Sequence, residues 1–288
     1  MSRAALSPTI RAALWMSGAL VSFMAMAIAG RELSTELTTF QILFFRSAVG
    51  LAAIVPLLQV TGWAQVKTGV FGTHVIRNVT HFGGQYGWFY GIALIPLTEV
   101  FAIEFTVPIW TAILATIILR ERMSRPRVLA ILIGFAGILV ILRPGIAIVS
   151  PGALAVLGGA VAYAISHVFT KRLSATETPL RILFYMTVIQ LPLGLVPALP
   201  HWVWPSARLL PWIAVVALTA LSAHYCLTRA FRLADASVVI PMDFLRLPII
   251  SVVGFFFYGE PLQAWVFVGA ATVFVGTWLN LRSAQRQA

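Results

Sequence analysis

Long apolar runs alternate with short polar breaks along the whole chain. Ten runs can be drawn, each bounded by charge, proline or glycine, at roughly 12 to 29, 38 to 60, 73 to 94, 98 to 119, 126 to 142, 151 to 169, 179 to 199, 211 to 231, 236 to 257 and 263 to 281. At about 1.5 Å of rise per residue, runs of this length cross a hydrocarbon core of about 30 Å as helices. The pattern predicts an all-α membrane protein with ten transmembrane helices. Several breaks are only a few residues long, which makes consecutive helices antiparallel neighbours, and none is long enough for a separate soluble domain.

The stretch from Glu99 to Arg127 shows how polar residues punctuate the pattern. Its apolar run holds one ionisable side chain, Glu104, with Pro108 one turn later and Arg120, Arg122, Arg125 and Arg127 at its end. A carboxylate at membrane depth is disfavoured by about 3 kcal/mol unless it faces a bundle interior or a wet cavity, which makes it a functional candidate. The proline withholds one backbone hydrogen bond and loosens the preceding turn.

The same pattern returns later. A shift of 139 positions brings Glu104 onto Asp243, Phe105 onto Phe244, Glu121 onto Glu260, Gly137 onto Gly276, Arg143 onto Arg282 and Tyr86 onto Tyr225. Farther upstream, a shift of 140 brings Gln41 to Phe45 onto Arg181 to Tyr185. Two copies of one unit are therefore expected, over residues 8–145 and 150–283. Five helices per copy force the second to enter the membrane upside down, so the fold predicted is two inverted five-helix repeats, an arrangement suited to alternating access around a site near the midplane.

Composition sharpens this picture. Of 288 residues 60% are hydrophobic and 10% charged, outside the range of soluble domains. The net charge of +11 does not point to nucleic acid, because the basic residues cluster at span ends. With the N-terminus inside, fifteen of the twenty Lys and Arg fall at inner ends, against Arg31, Arg143 and Arg208 at outer ends, while Arg46 and Arg246 lie within spans. Both termini are thus expected in the cytoplasm. Ala25-Met26-Ala27 resembles a signal-peptidase site, but the run before it is long for a signal peptide and its removal would leave an odd helix, so it is predicted as the first span. The lone Cys226 excludes an internal disulfide.

Polar residues inside the spans nominate a central cavity. The candidates are Arg46 in the second span, His81, Gln85, Tyr86 and Tyr90 in the third, Glu104 in the fourth, His224 in the eighth, and Asp243 and Arg246 in the ninth. Asp243 and Arg246, three apart, share a helix face, and Arg46 is available to neutralise Glu104. Alternatively these charges engage the ammonium and carboxylate of a zwitterion, where low polarity strengthens each contact. Tyr86 and Tyr90 share a face and either line the cavity or anchor at the interface. Gly83, Gly87 and Gly91 at four-residue spacing predict close helix packing. Pro108, Pro241 and Pro248 are hinge candidates. His167 and Lys171 are expected to snorkel to the interface, with Trp202 and Trp204 in an outer aromatic belt. No metal cluster, His-x-x-x-His or Gly-x-Ser-x-Gly spacing and no phosphate loop appears, so neither an enzyme nor direct ATP drive is indicated, and no cofactor is expected.

Ten spans in two copies, with the fourth running into Leu119-Arg120-Glu121-Arg122 and its counterpart into Phe257-Tyr258-Gly259-Glu260-Pro261, and the glycine-rich fifth span at Gly134 to Gly137, resemble the drug/metabolite transporter superfamily, in its EamA-type ten-helix branch. The resemblance covers essentially the whole chain. It implies a secondary transporter of a small molecule, most similar to bacterial exporters of amino acids and related metabolites. Uptake of a metabolite such as S-adenosylmethionine and nucleotide-sugar transport are alternatives, with a channel behind them. The first-span acid of the small four-helix multidrug relatives has no counterpart between Ile10 and Gly30.

Overall fold

The computed structural model describes residues 8–118, 125–143, 149–231, 233 and 242–285. Among them the chain forms α1 (Pro8–Leu33), α2 (Thr39–Thr61), α3 (Phe71–Leu94), α4 (Leu97–Glu104), α5 (Val107–Ile118), α6 (Arg125–Leu142), α7 (Pro151–Ser174), α8 (Pro179–Ala198), α9 (Leu210–Phe231), α10 (Arg246–Tyr258) and α11 (Ala264–Gln285), and no strand. The helices α4 and α5 together make the fourth span, and α10 belongs to the ninth. Six segments are long and apolar enough to cross a membrane by length and composition. The third span reads weaker because Arg77, Asn78, His81 and Gln85 are set into it, all of them buried.

The main helix contacts are α1 with α9, α2 with α8, α3 with α7, and α6 with α11. Numbered as spans, these are one with eight, two with seven, three with six, and five with ten. Exchanging each span for the one five places on turns the first pair into the third and leaves the other two unchanged. A two-fold axis running through the two–seven and five–ten contacts does this. With five spans per copy, the copies are inverted.

The glycines report the same symmetry at atomic scale. A Cβ placed on Gly137 would meet the carbonyl of Gly269 at 2.7 Å and the Val273 side chain at 2.7 Å, while one on Gly276 would meet the carbonyl of Ala130 at 2.7 Å and the backbone of Gly134 at 2.9 Å. A shift of 139 residues converts one contact set into the other. The helices α6 and α11 touch backbone to backbone, which only a hydrogen at Cα permits. Gly137→Ala and Gly276→Ala are each expected to destabilise the protein by about 1–3 kcal/mol through overpacking, whereas Gly158→Ala, with open space around it, should be neutral. Melting temperatures in detergent measure the contrast.

Loops on the two faces tie the copies together in matching ways. Thr38 and Thr178, 140 residues apart, are the N-caps of α2 and α8, accepting from the backbone N–H of Gln41 and Arg181. Those two residues then reach into the other copy: Gln41 Nε2 donates to the Val203 carbonyl at 2.7 Å and Arg181 Nε to the Gln65 carbonyl at 2.5 Å. On the face that holds the start of α1 and the end of α11, Glu177 accepts from Arg181 and Thr68. Burial would push its carboxyl up, but these hydrogen bonds and the Arg181 charge prevail and hold it below the usual carboxylate range. On the opposite face Glu260 accepts from Arg31 at 2.9 Å and from the Leu97 N–H at 2.8 Å, Arg31 also donates to the Ile95 carbonyl, and Tyr258 donates to Glu32. Glu260 thus sits at the N-terminus of α4, where a negative charge is favoured.

Candidate functional site

Both candidate acids stand at breaks in their helices. The turn at Phe105 and Thr106 separates α4 from α5, and the turn at Phe244 and Leu245 precedes α10; the two breaks are 139 residues apart. Pro108 is the second residue of α5 and Pro248 the third of α10, first-turn positions where a proline is tolerated because its missing N–H has no helical partner. Each proline withholds the N–H that a continuous helix would give to the residue four back, here Glu104 and Phe244. Pro108 and Pro248 therefore flank true interruptions rather than kinks, as do the discontinuous helices that frame midplane sites in transporters. Pro241 lies outside the described residues.

The breaks bring four side chains together. Arg246 Nη1 donates to Glu104 Oε1 at 3.4 Å and Nη2 to Asp243 Oδ2 at 2.5 Å, while Trp88 Nε1 donates to Glu104 Oε2 at 2.8 Å. The guanidinium also lies over the rings of Phe23, Phe101 and Phe105, at 4.7, 5.3 and 5.2 Å from their centroids. Phe105 in turn stacks on Phe244, joining the two breaks at 4.2 Å. The Arg246 side chain is 4% exposed, Glu104 18% and Asp243 25%, so the acids keep an approach that the arginine lacks. Asp243 Oδ1 has no hydrogen-bond partner. Two carboxylates and one guanidinium carry one surplus negative charge when all are ionised, and a cationic group or a proton can neutralise it.

This arrangement corrects one expectation. The cation beside Glu104 is Arg246, not Arg46. Arg46 is buried at 5% exposure, makes no ion pair among the described residues, and has its Nε without a partner. Long-range packing decides between two arginines that local spacing leaves equivalent.

His81 and Gln85 lie on the inward face of α3, together with His74, Arg77, Asn78 and Trp88, all buried. Tyr86 and Tyr90 point the other way, about 140° and 180° around the helix from His81 at 100° per residue. Tyr86 packs on Phe40 at 4.6 Å and stacks on Tyr90 at 5.8 Å. Its counterpart Tyr225 is 57% exposed and meets Trp15. Both tyrosines of α3 are away from the acids, and the aromatic groups that do reach the site are Trp88, Phe23, Phe101 and Phe105. The signal that could have found Trp88 is its spacing: 81, 85 and 88 form one helical stripe.

A second polar group continues from the first. Phe23 lies edge-on to His224 at 6.1 Å, His224 faces His81 at 6.1 Å, His81 meets Tyr163 at 5.5 Å, and Tyr163 stacks with His167 at 6.4 Å. His167, exposed near the C-terminal end of α7, is the outermost ring of this chain. Gln190 and His81 share a hydrogen bond of 3.0 Å, and Arg77 donates to Asn78 and Thr170. Tyr163, Asn78 and Gln190 were not legible as site residues because their polarity is unremarkable within their own spans. Among the described residues no group of three or more His, Cys, Asp or Glu could hold a metal ion.

A model of the EamA-like transporter family matches residues 10–143 and again residues 150–282. The chain is 27% identical over 276 residues to the S-adenosylmethionine uptake transporter of Rickettsia prowazekii, covering 94% of each protein. It is 31% identical over 254 residues to a riboflavin transporter of Brucella anthropi, covering 86% of this chain and 89% of that one. It is 28% identical over 260 residues to a pseudopaline exporter of Pseudomonas aeruginosa, covering 88% and 90%.

Proposed function

The chain belongs to the EamA-like transporter family and is a secondary transporter of the drug/metabolite superfamily, not an enzyme; on that premise we propose that it carries a small amphipathic metabolite with a cationic group, bound at Glu104 and Asp243. The observation that carries this reading is the surplus carboxylate at the paired helix breaks. A substrate ammonium placed beside Glu104 satisfies it in a site where few waters compete. Binding between inverted repeats lets the two copies rock about one site, which is alternating access. Arg246 holds the two acids in place, Trp88 orients the Glu104 carboxylate, and Phe23, Phe101 and Phe105 give the substrate an apolar wall. Turns at residues 105–106 and 244–245, next to Pro108 and Pro248, act as hinges.

Within this class we favour amino acids and related metabolites, exported from the cytoplasm. The runner-up is uptake of an S-adenosylmethionine-like compound, which likewise bears an amino-acid group and which the Rickettsia relative's name specifies. The copies extend over residues 8–145 and 150–283, and both termini face the cytoplasm of a bacterial inner membrane. The test is a counterflow panel in proteoliposomes, with amino acids, S-adenosylmethionine, riboflavin and a nucleotide sugar as labelled compounds. Trans-stimulated uptake of an amino acid or S-adenosylmethionine is the expected result; conductance without counterflow would indicate a channel and end this reading. Orientation is checked with single cysteines at Ala64 and Ser206 in a Cys226→Ser background, which should label from inside and outside respectively.

A further inference from the structure

The Glu104 cluster accounts for one end of a polar substrate, and Arg46 stands unused. Its guanidinium is one of two buried in the second and ninth spans, yet the two are treated oppositely. Arg246 spends its donors on Glu104 and Asp243, whereas Arg46 donates no hydrogen bond among the described residues and leaves a buried Nε unpartnered. The described acids outside the Glu104 cluster are Glu32, Glu36, Glu99, Glu177 and Glu260, all at helix ends or in the loops between helices. None is placed to neutralise it. A buried cation without a counter-charge is strongly disfavoured, and among the described residues Arg46 has none, which leaves room for an anion that binds and leaves.

The surroundings fit that anion. Arg46 borders a cavity of about 10 Å³ between α2, α8 and α9, shared with Ser47, Thr187, Gln190, Ala217 and Leu221. This is the volume of one water-sized atom, enough for one oxygen of a carboxylate but not for a bulkier group. Gln190, which lines this cavity, shares a hydrogen bond of 3.0 Å with His81, and the rings of His81, His224 and Phe23 continue from there to the Arg246 guanidinium.

We propose that Arg46 is an anion subsite that receives one carboxylate oxygen of the substrate, whose cation is held at Glu104 beyond the intervening rings, so that the transported molecule carries its two charges many bonds apart rather than on one α-carbon. This rests on the reading of Glu104 as the cation end and narrows the substrate to compounds bearing both charges. An amide or ester of the same molecule loses the Arg46 contact, and a purely cationic compound leaves the guanidinium unpaired.

Acetate, its neutral isostere acetamide, and chloride serve as probes on the purified full-length protein, with chloride at equal concentration as the ionic-strength control for acetate. Acetate should raise the wild-type melting temperature saturably, acetamide should not, and chloride should do so more weakly. In Arg46→Gln the empty protein should melt at or above the wild-type temperature, because an unpaired charge has gone, and apparent acetate affinity should fall by about tenfold or more. Arg46→Lys keeps the charge without the planar fork and should retain a weakened response, which covers the case in which the glutamine variant cannot be purified. An acetate effect that is absent in wild type, survives unchanged in Arg46→Gln, or is matched by chloride overturns the proposal. Because this readout needs no transport, it stands or falls separately from the counterflow panel: a protein that carries none of the panel compounds can still show the Arg46 site.

Discussion

Glu104→Gln is expected to reduce counterflow by about 100-fold while the protein inserts and melts close to the wild-type temperature. The carboxylate accepts from Trp88 and from Arg246, and a glutamine amide is nearly isosteric and retains an acceptor oxygen. Arg246 keeps its shorter contact with Asp243, so no charge is stranded. What disappears is the surplus negative charge. Truncating one partner of a buried charge pair is worth about 2–5 kcal/mol, and 2.7 kcal/mol is about 100-fold. The comparison of transport rate with melting temperature separates the two roles an acid can play: a structural acid loses stability first, a binding acid loses transport first. Wild-type counterflow in both Glu104→Gln and Asp243→Asn would remove these acids from the site.

The opposite profile is expected of Arg246→Met. The methionine fills part of the volume but leaves Glu104 and Asp243 as two neighbouring carboxylates without a cation, at a loss of about 3–5 kcal/mol. Contacts with Phe23, Phe101 and Phe105 add to the loss of the guanidinium. Here the melting temperature should fall sharply along with transport. Combining Arg246→Met with Glu104→Gln and Asp243→Asn should recover much of the stability and none of the transport, since a neutral cluster has no stranded charge and no binding charge. If the triple variant melts as low as the single one, the arginine acts through packing and not through its charge.

Much of this architecture is written in the sequence, and the reasons are local. The length of the apolar runs, the shift that superimposes Glu104 on Asp243, and the odd number of helices per copy together dictate inverted repeats. The glycines at 137 and 276 even mark the contact that the symmetry axis crosses. What the sequence leaves open is long-range. Glu104 and its cation are 142 residues apart, and no spacing rule ranks Arg246 above Arg46. For Tyr86 and Tyr90 the spacing predicted a shared face correctly, but helix periodicity alone does not say which face turns inward. The polar stripe of His81 and Gln85 does, and Trp88 continues it. For the prolines, a kink and a first-turn position are both compatible with the sequence, and only the backbone distinguishes them.

One feature of the packing reaches beyond transport. Every principal helix contact joins one copy to the other, so each copy's interior is completed by the other. A polypeptide ending near Arg143 would expose the glycine face of α3 and the backbone contact surface of α6, and nothing within it could cover them. Two such pieces inserted in opposite orientations cover each other. A single copy would therefore find its missing partner in a second one inserted the other way, an antiparallel pair with the same interface that the two copies of this chain form. The connection between the copies is, on this view, a tether that fixes stoichiometry and orientation. Co-expressed halves should reassemble without it.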